Sequence, residues 1–290
     1  MEIFSYLASD PNALIIVVGL LGLIIGSFLN VVIYRLPIMM QQEARLQCAE
    51  LLNVPASQPN QPFNLIQPRS HCPHCGHQVA ILENIPLVSF IWQRGQCTAC
   101  HQAISWRYPF VELLSASLAI ILAWQFGFTW QLLGALTLTW ILLALSMIDF
   151  DHQLLPDSLT LPGLWLGLGV NLFNLYTNIE TSVIGAIAGY LFLWSIYWVF
   201  KLLTGKEGMG YGDFKLLALL GAWLGWQPLP SIILISSFLG ALVGISLIII
   251  RQHDKNVPIP FGPYLAFAGW IYLLWGEKLT QIYFTWLTYP

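Results

Sequence analysis

The sequence predicts an all-α polytopic membrane protein of about eight transmembrane helices, with one small polar domain inserted after the first helix. Three observations carry this. Of 290 residues, 57% are hydrophobic and only 9% are charged, whereas a soluble domain averages about 25% charged. Eight apolar runs approach or reach the roughly 20 residues that a helix needs to cross a bilayer. The one long polar stretch, residues 36–107, holds all five cysteines. A net charge of −3 gives no general pull toward nucleic acid. The partner this composition fits is the lipid bilayer.

The apolar runs are 12–34, 108–126, 130–148, 159–176, 182–203, 214–226, 229–250 and 261–275. The sixth and eighth are short for a span. Internal Gly and Pro are tolerated in membranes, where neighbouring groups re-satisfy the backbone. The first run does not read as a cleaved signal peptide, which needs a basic stretch ahead of it. Glu2 and Asp10 precede this one, while Arg35 and Arg45 follow it. Basic residues favour the cytoplasmic side, so the amino terminus is expected outside and the chain after residue 34 inside. Eight spans threaded from that start leave Arg35, Arg45, Arg69, Arg94, Arg107, Lys201, Lys206, Lys215, Arg251 and Lys255 in the cytoplasm. Only Lys278 falls outside.

Three regions follow: 1–35 as a first transmembrane helix, 36–107 as a cytoplasmic domain, and 108–290 as seven further membrane helices. The inserted domain is rich in loop residues, with Pro55, Pro59, Pro62 and Pro68 near a Gln/Asn cluster. At about 70 residues its core alone is marginal, and a structural metal is a common remedy.

Its cysteines supply one. Cys72-Pro-His-Cys75 and Cys97-Thr-Ala-Cys100 are two C-x₂-C knuckles separated by 21 residues. Each knuckle turns two sulfurs toward one point, and four thiolates complete a closed tetrahedral zinc site of ribbon type. A reducing compartment argues against disulfides, and a redox C-x-x-C pair would need a βαβ context that is absent. His71, His74, His77 and His101 flank the knuckles. With four sulfurs filling the shell they are expected to be solvated, and Cys48 is expected to be an apolar filler. A closed shell leaves no position for water, so this Zn²⁺ serves folding.

Carboxylates at the edge of apolar spans are functional suspects. The third run leads directly into Asp149, followed by Asp151 and Asp157; the sixth is preceded by Gly208, Gly210, Gly212 and Asp213. The threading puts both sites at the cytoplasmic face, one ending a span and the other starting one. Two adjacent carboxylates cannot both ionise, so they share a proton. That suffices for peptide hydrolysis: one takes a proton from water, and the other donates to the carbonyl. The glycines let backbone approach closely and adopt positive φ. Spacing alone leaves Asp213 open between a catalytic and a solvated role. Asp151, Asp157, Glu207 and Asp254 read as solvated loop acids, Asp157 also as a helix cap.

Gly210-Tyr211-Gly212-Asp213 resembles the GxGD motif of membrane aspartyl peptidases. The longer strings 205–218, 26–37, 83–90, 107–109, 148–157 and 258–263, with the two cysteine knuckles, resemble the type IV prepilin peptidases, in order through nearly the whole chain. This resemblance implies Asp149 and Asp213 as the catalytic pair. It also implies cleavage of the basic leaders of type IV prepilins and type II secretion pseudopilins, after Gly and usually before Phe, at the bacterial inner membrane. The cysteine domain is typical of members that then methylate the new amino terminus with S-adenosylmethionine. No G-x-G-x-x-G follows a strand, so no Rossmann cofactor site is indicated. Glu83, Asn84, Arg107 and the cysteine domain are candidate neighbours of the methyl donor, with Glu83 equally readable as a solvated acid. A GxGD peptidase for other membrane substrates would share the Asp pair but not require the cysteine domain. A transporter would place its polar groups near the bilayer midplane.

Overall fold

A computed structural model describes residues 2–54, 63–251 and 260–288. Pro55, Pro59, Pro62, Asp254, Lys255 and Pro258 lie outside the described residues. By its contacts the chain forms two compact units, residues 1–128 and 129–290. No strand occurs among the described residues, only two isolated β-bridges, His71 with Gln78 and Gln96 with Ala103.

The first unit contains α1 (Glu2–Ser9), α2 (Pro11–Leu51), a 3₁₀ turn (Leu82–Asn84), α3 (Val88–Trp92) and α4 (Arg107–Phe126). The Asp10 carboxylate caps α2 by accepting from the Asn12 and Ala13 N–H groups, and Pro11 stands at the first helical position, where no donor is lost. The polar insertion begins as helix. Rather than ending near residue 34, α2 runs through Pro37 to Leu51, because the residues after Pro37 are mostly strong helix formers (Met, Gln, Glu, Ala, Arg, Leu). α2 and α4 meet along small residues. A Cβ on Gly22 would lie 2.7 Å from Ala116 Cα, and one on Gly26 would lie 2.8 Å from Glu112 Cα. The Ser115 hydroxyl donates to the Gly22 carbonyl at 2.7 Å. Such close backbone approach is how membrane helices gain contact without a hydrophobic drive between them. At the end of the pair, buried Arg35 donates to the carbonyls of Asn64 (2.9 Å) and Pro68 (2.6 Å).

The second unit contains α5 (Trp130–His152), α6 (Asp157–Asn171), α7 (Ile179–Thr204), α8 (Tyr211–Leu224), α9 (Leu229–Arg251) and α10 (Gly262–Thr288). α8 is its axis. Every residue from Phe214 to Trp223 except Lys215 is buried, against α6, α7 and α10. Gly189 of α7 faces the Leu217 backbone so closely that a Cβ would lie 2.6 Å from its carbonyl oxygen. At the carboxyl end of α8, buried Asn171 donates to the Ala222 and Trp223 carbonyls at 2.9 and 3.0 Å. It also accepts from the Tyr176 and Thr177 N–H groups. The Ser182 hydroxyl donates to the Ala222 carbonyl as well.

This is a multi-pass helical membrane protein. Among the described residues, five helical segments are long and apolar enough to cross a bilayer: α2, α4, α5, α7 and residues Leu229–Ser246 of α9. The expectation of about eight spans is therefore met only in part. The short members are also partly different. α6 and α8 have 15 and 14 residues, about 21–23 Å at 1.5 Å per residue, short of a hydrocarbon core of about 30 Å. α10 spans 27 residues but is broken at Trp275, whose backbone is non-helical (φ −127°, ψ 15°), so its first straight segment ends where the short run 261–275 was expected to end. α8 is wrapped by other helices, so its sequence reads as apolar without needing to reach both membrane faces.

Candidate active site and metal centre

One end of the second unit gathers the last turn of α5 and the first turns of α6, α8 and α10. Asp149 lies in the last turn of α5 and Asp213 in the first turn of α8. They are 5% and 7% exposed, and Asp149 is near enough for its charge to act on Asp213. The Gly262 N–H, at the start of α10, donates to Asp149 Oδ2 at 3.0 Å. The Gly210 N–H faces the Asp213 carboxylate. Asp213 therefore sits where unpaired N–H groups of a helix start point outward. Leu155 packs between the two sites: an added Cβ on Gly212 would lie 2.7 Å from its Cβ, and one on Gly262 would lie 3.2 Å from its side chain.

The glycines before Asp213 work by closeness rather than by handedness. Gly210 has φ −80°, and neither Gly208 nor Gly212 has positive φ. Only Gly205, which ends α7, does, at +69°. The expected left-handed turn at the GxGD sequence is thus absent, because Gly210 simply leads into α8 as its N-cap. Beneath this turn an aromatic cluster fixes the helix start. Tyr211 and Phe214 meet edge to face at 5.5 Å, and each meets Tyr197 of α7, at 5.2 and 5.7 Å. Tyr197 is fully buried, and a tyrosine inside an apolar run carried no signal that would single it out.

The other acids are not all solvated. Asp157 pairs with Lys215, which donates to both its oxygens at 2.6 and 2.7 Å. It does not cap α6, whose N-cap is Pro156. Glu207 pairs with Lys201 at 2.8 Å. Asp151 is exposed on the last turn of α5. A cleft of about 280 Å³, lined by Ser237, Gly240, Ala241, Pro260, Phe261 and Tyr264, adjoins Gly262 along the chain. The expected string 258–263 thus includes the Asp149 donor, although the sequence offered no role for it.

In the first unit the two cysteine knuckles have matching geometry. Cys72 N–H donates to the His77 carbonyl and Cys97 N–H to the Gln102 carbonyl; Gly76 N–H donates to Cys72 and His101 N–H to Cys97. Gly76 and His101 hold the same positive-φ corner, at +73° and +58°. All four sulfurs lie within 4.8 Å of one another, with Cys72–Cys100 at 3.8 Å and Cys75–Cys97 at 3.9 Å. A tetrahedron with metal–sulfur bonds of about 2.3 Å has edges of about 3.8 Å, so the cluster could hold a metal ion as it stands. Backbone N–H groups of Cys75 and His74 pull the Cys72 thiol down to about 7. Against one N–H from Gln102, burial and the three neighbouring sulfurs push Cys100 up to about 12. A divalent cation relieves that crowding.

Glu83 is not a free loop acid. It accepts from the Thr98 hydroxyl at 2.6 Å and the Ala80 N–H at 2.8 Å, and faces His77 Nε2 at 3.2 Å. It thereby joins the loop after the first knuckle to the second. These partners, Thr98 first, hold its carboxyl below the usual carboxylate range. His77 is accordingly a partner of Glu83 and not simply solvated. A further acid that the sequence reading passed over is Glu112 of α4, which is buried and accepts from the Leu87 N–H at 2.9 Å.

Fold and site together define a helical membrane protein with a buried pair of carboxylates and a four-cysteine cluster able to hold a metal. Residues 20–126 match the Bacterial Peptidase A24 N-terminal domain, and residues 136–245 match the Type IV leader peptidase family. The chain is 57% identical to a prepilin leader peptidase/N-methyltransferase of Stutzerimonas stutzeri over 96% of both chains. It is 54% identical to one of Pseudomonas aeruginosa over 98% of both, and 57% identical to one of Aeromonas hydrophila over 92% of this chain and 93% of that one. No solved structure matches. The chain belongs to the type IV leader peptidase family.

Proposed function

We propose that this chain cleaves the leader peptide of type IV prepilins with Asp149 and Asp213, and N-methylates the amino terminus so produced. One observation supports the first half above all. Two buried acids from separate helices share one end of a single unit, beside Gly210, where an added Cβ would meet nothing nearer than Asp213 Oδ2 at 3.8 Å. The full-length likeness to relatives named for both activities supports the second.

The chemistry needs no group beyond the dyad. The ionised carboxylate takes a proton from water as the water oxygen attacks the scissile carbonyl carbon. The protonated carboxyl gives its proton to the carbonyl oxygen. Collapse of the resulting diol breaks the C–N bond: the carboxyl protonated by water gives that proton to the leaving amine, and the other carboxylate takes a proton back from a diol hydroxyl as the C=O re-forms, which restores the dyad. The Gly262 N–H holds Asp149 in place for both transfers, and the α7–α8 aromatic cluster holds Asp213.

S-adenosylmethionine, when bound, supplies the methyl group. The acceptor is the neutral amine released by cleavage, and Glu83, Asn84 and Arg107 remain the candidate neighbours. Cys72, Cys75, Cys97 and Cys100 would hold Zn²⁺ as a folding element of the polar domain inserted between α2 and α4. Type II secretion pseudopilins are further substrates of the same chemistry. The distribution of ten of eleven basic residues supports a bacterial inner-membrane location with the dyad at the cytoplasmic face. Incubating the purified protein with a prepilin, with and without S-adenosylmethionine, and weighing the products tests both halves. Loss of the leader without the cofactor, and one added methyl with it, is the expected result.

A further inference from the structure

The cysteine domain carries an apolar surface that neither proposed activity uses. Ile81, Leu82, Val88, Ile91 and Trp92 are all exposed, Ile91 at 74% and Trp92 at 85%. Val88, Ile91 and Trp92 stand at i, i+3 and i+4 of α3, and so share one face. Apolar surface of this kind on an otherwise polar domain marks an interaction site.

The structure shows where this face is held. The Leu87 N–H, just before α3, donates to the buried carboxylate of Glu112 at 2.9 Å. Glu112 lies five residues inside α4, a membrane-spanning helix that begins at Arg107. At 1.5 Å per residue the tether is about 7.5 Å past the Arg107 level. The Phe90 ring packs on Trp106, at the start of α4, with centroids 4.9 Å apart. Segments that lie in a membrane interface bury about 5–10 Å into the headgroup and acyl boundary. We infer that residues 81–92 lie in that boundary, as an interfacial anchor holding the cysteine domain against the bilayer surface.

Two further observations agree with lipid as the occupant. Trp106, which the Phe90 ring touches, is itself exposed, as are Tyr108, Phe110 and Leu113 of the α4 entry, and Trp and Tyr concentrate at membrane interfaces. The turn around α3 also pairs much of its own backbone, as a low-dielectric setting favours. The N–H groups of Val88, Ser89, Ile91 and Gln93 donate to the carbonyls of Pro86, Ile85, Leu87 and Ser89, and the Ser89 hydroxyl donates to Ile85. Glu112 takes the Leu87 N–H that begins the turn. The anchor would fix the cysteine domain where the amino terminus of a membrane-embedded substrate emerges.

The test uses the full chain in phospholipid nanodiscs. Photo-crosslinking p-benzoylphenylalanine replaces Ile91 or Trp92, or Gln102 on the exposed second knuckle as a control. Lipid adducts at least several-fold more abundant at 91 and 92 than at 102 are expected. In parallel, lipids brominated on the upper acyl chain should quench the fluorescence difference between wild type and Trp92→Phe, a change mild enough to fold. Crosslinks to another part of the chain or to a second copy would overturn the inference. So would an equal lipid yield at all three positions, or an unquenched Trp92. None of these outcomes depends on the Asp pair, so cleavage can survive while the anchor fails.

Discussion

The Gly262 N–H donates to Asp149 Oδ2 across 113 residues of chain, joining the start of α10 to the end of α5. Glycine is needed there for space. A Cβ at residue 262 would lie 2.6 Å from that oxygen and 3.2 Å from the Leu155 side chain. Gly262→Ala should push the carboxylate aside while leaving the fold intact. Displacements of about 1 Å can cost about 10²-fold in rate, so leader cleavage should fall by that order. Methylation of a pre-cleaved pilin should not change. Steady-state rates on the two substrates check both halves.

Lys215 stands two residues after Asp213 and grips Asp157 through both oxygens, clasping the start of α8 to the start of α6. The pair is partly exposed, at 28% and 54% for the two side chains. Its stabilising worth is therefore small, of order 0.2–1 kcal/mol. Its expected effect is on position. Asp157→Ala or Lys215→Met should shift the melting temperature little and lower the cleavage rate a few-fold. The exchanged pair Asp157→Lys with Lys215→Asp should recover part of the rate. If each single variant cleaves at the wild-type rate, the clasp has no positioning role.

The parts of the fold and site that the sequence made legible are those whose chemistry is local. Two C-x₂-C knuckles need only four cysteines at short spacing. An acid at the end of an apolar run, as at Asp149, stands out because its solvation cost is evident from its neighbours. Gly262 and Glu112 were not legible because their partners are far away in the chain: Asp149 lies 113 residues off and Leu87 lies 25. Glu83 looked like any loop acid until Thr98 and His77 were brought against it. Hydropathy also misjudged lengths. It could not show that α8 is shielded by α6, α7 and α10, or that α2 carries on through Pro37 into polar sequence.

The cysteine domain should carry about one zinc per chain. Cys72→Ser or Cys97→Ser should remove it and open residues 63–106 to protease. Glu83→Gln should act more weakly, since it loosens the link between knuckles without removing a ligand. A loss of about tenfold in zinc affinity, the low end for supporting groups, is expected. The Glu83 carboxyl is held below its ordinary value of 4.5 by Thr98, then Ala80 and His77. Its contribution is therefore complete above about pH 4.5 and is lost as pH falls through the lower folded value. Zinc retention against pH, compared between wild type and Glu83→Gln, should differ above that window and converge below it.

The two chemistries are separable at the Asp pair. Cleavage needs a carboxylate to take a proton from water and a carboxyl to give one to the carbonyl. Asp149→Asn or Asp213→Asn removes one of these, since an amide is not a base at this task. Either change should abolish leader cleavage. Each is nearly the same size as the residue it replaces, so the packing against Leu155, Gly212 and Gly262 should survive. Methyl transfer uses neither proton step and requires only a neutral amine presented to the methyl donor. A pre-cleaved pilin with a free amino-terminal Phe should therefore be methylated by both variants. Asp151→Asn, at an exposed position on the last turn of α5, should retain both activities and serves as the control. The deciding measurement is the mass gained by pre-cleaved pilin incubated with Asp213→Asn and S-adenosylmethionine. Methyl transfer lost in a well-folded variant would show that the carboxylates serve both reactions, and the division of labour between dyad and cysteine-bearing half would be wrong.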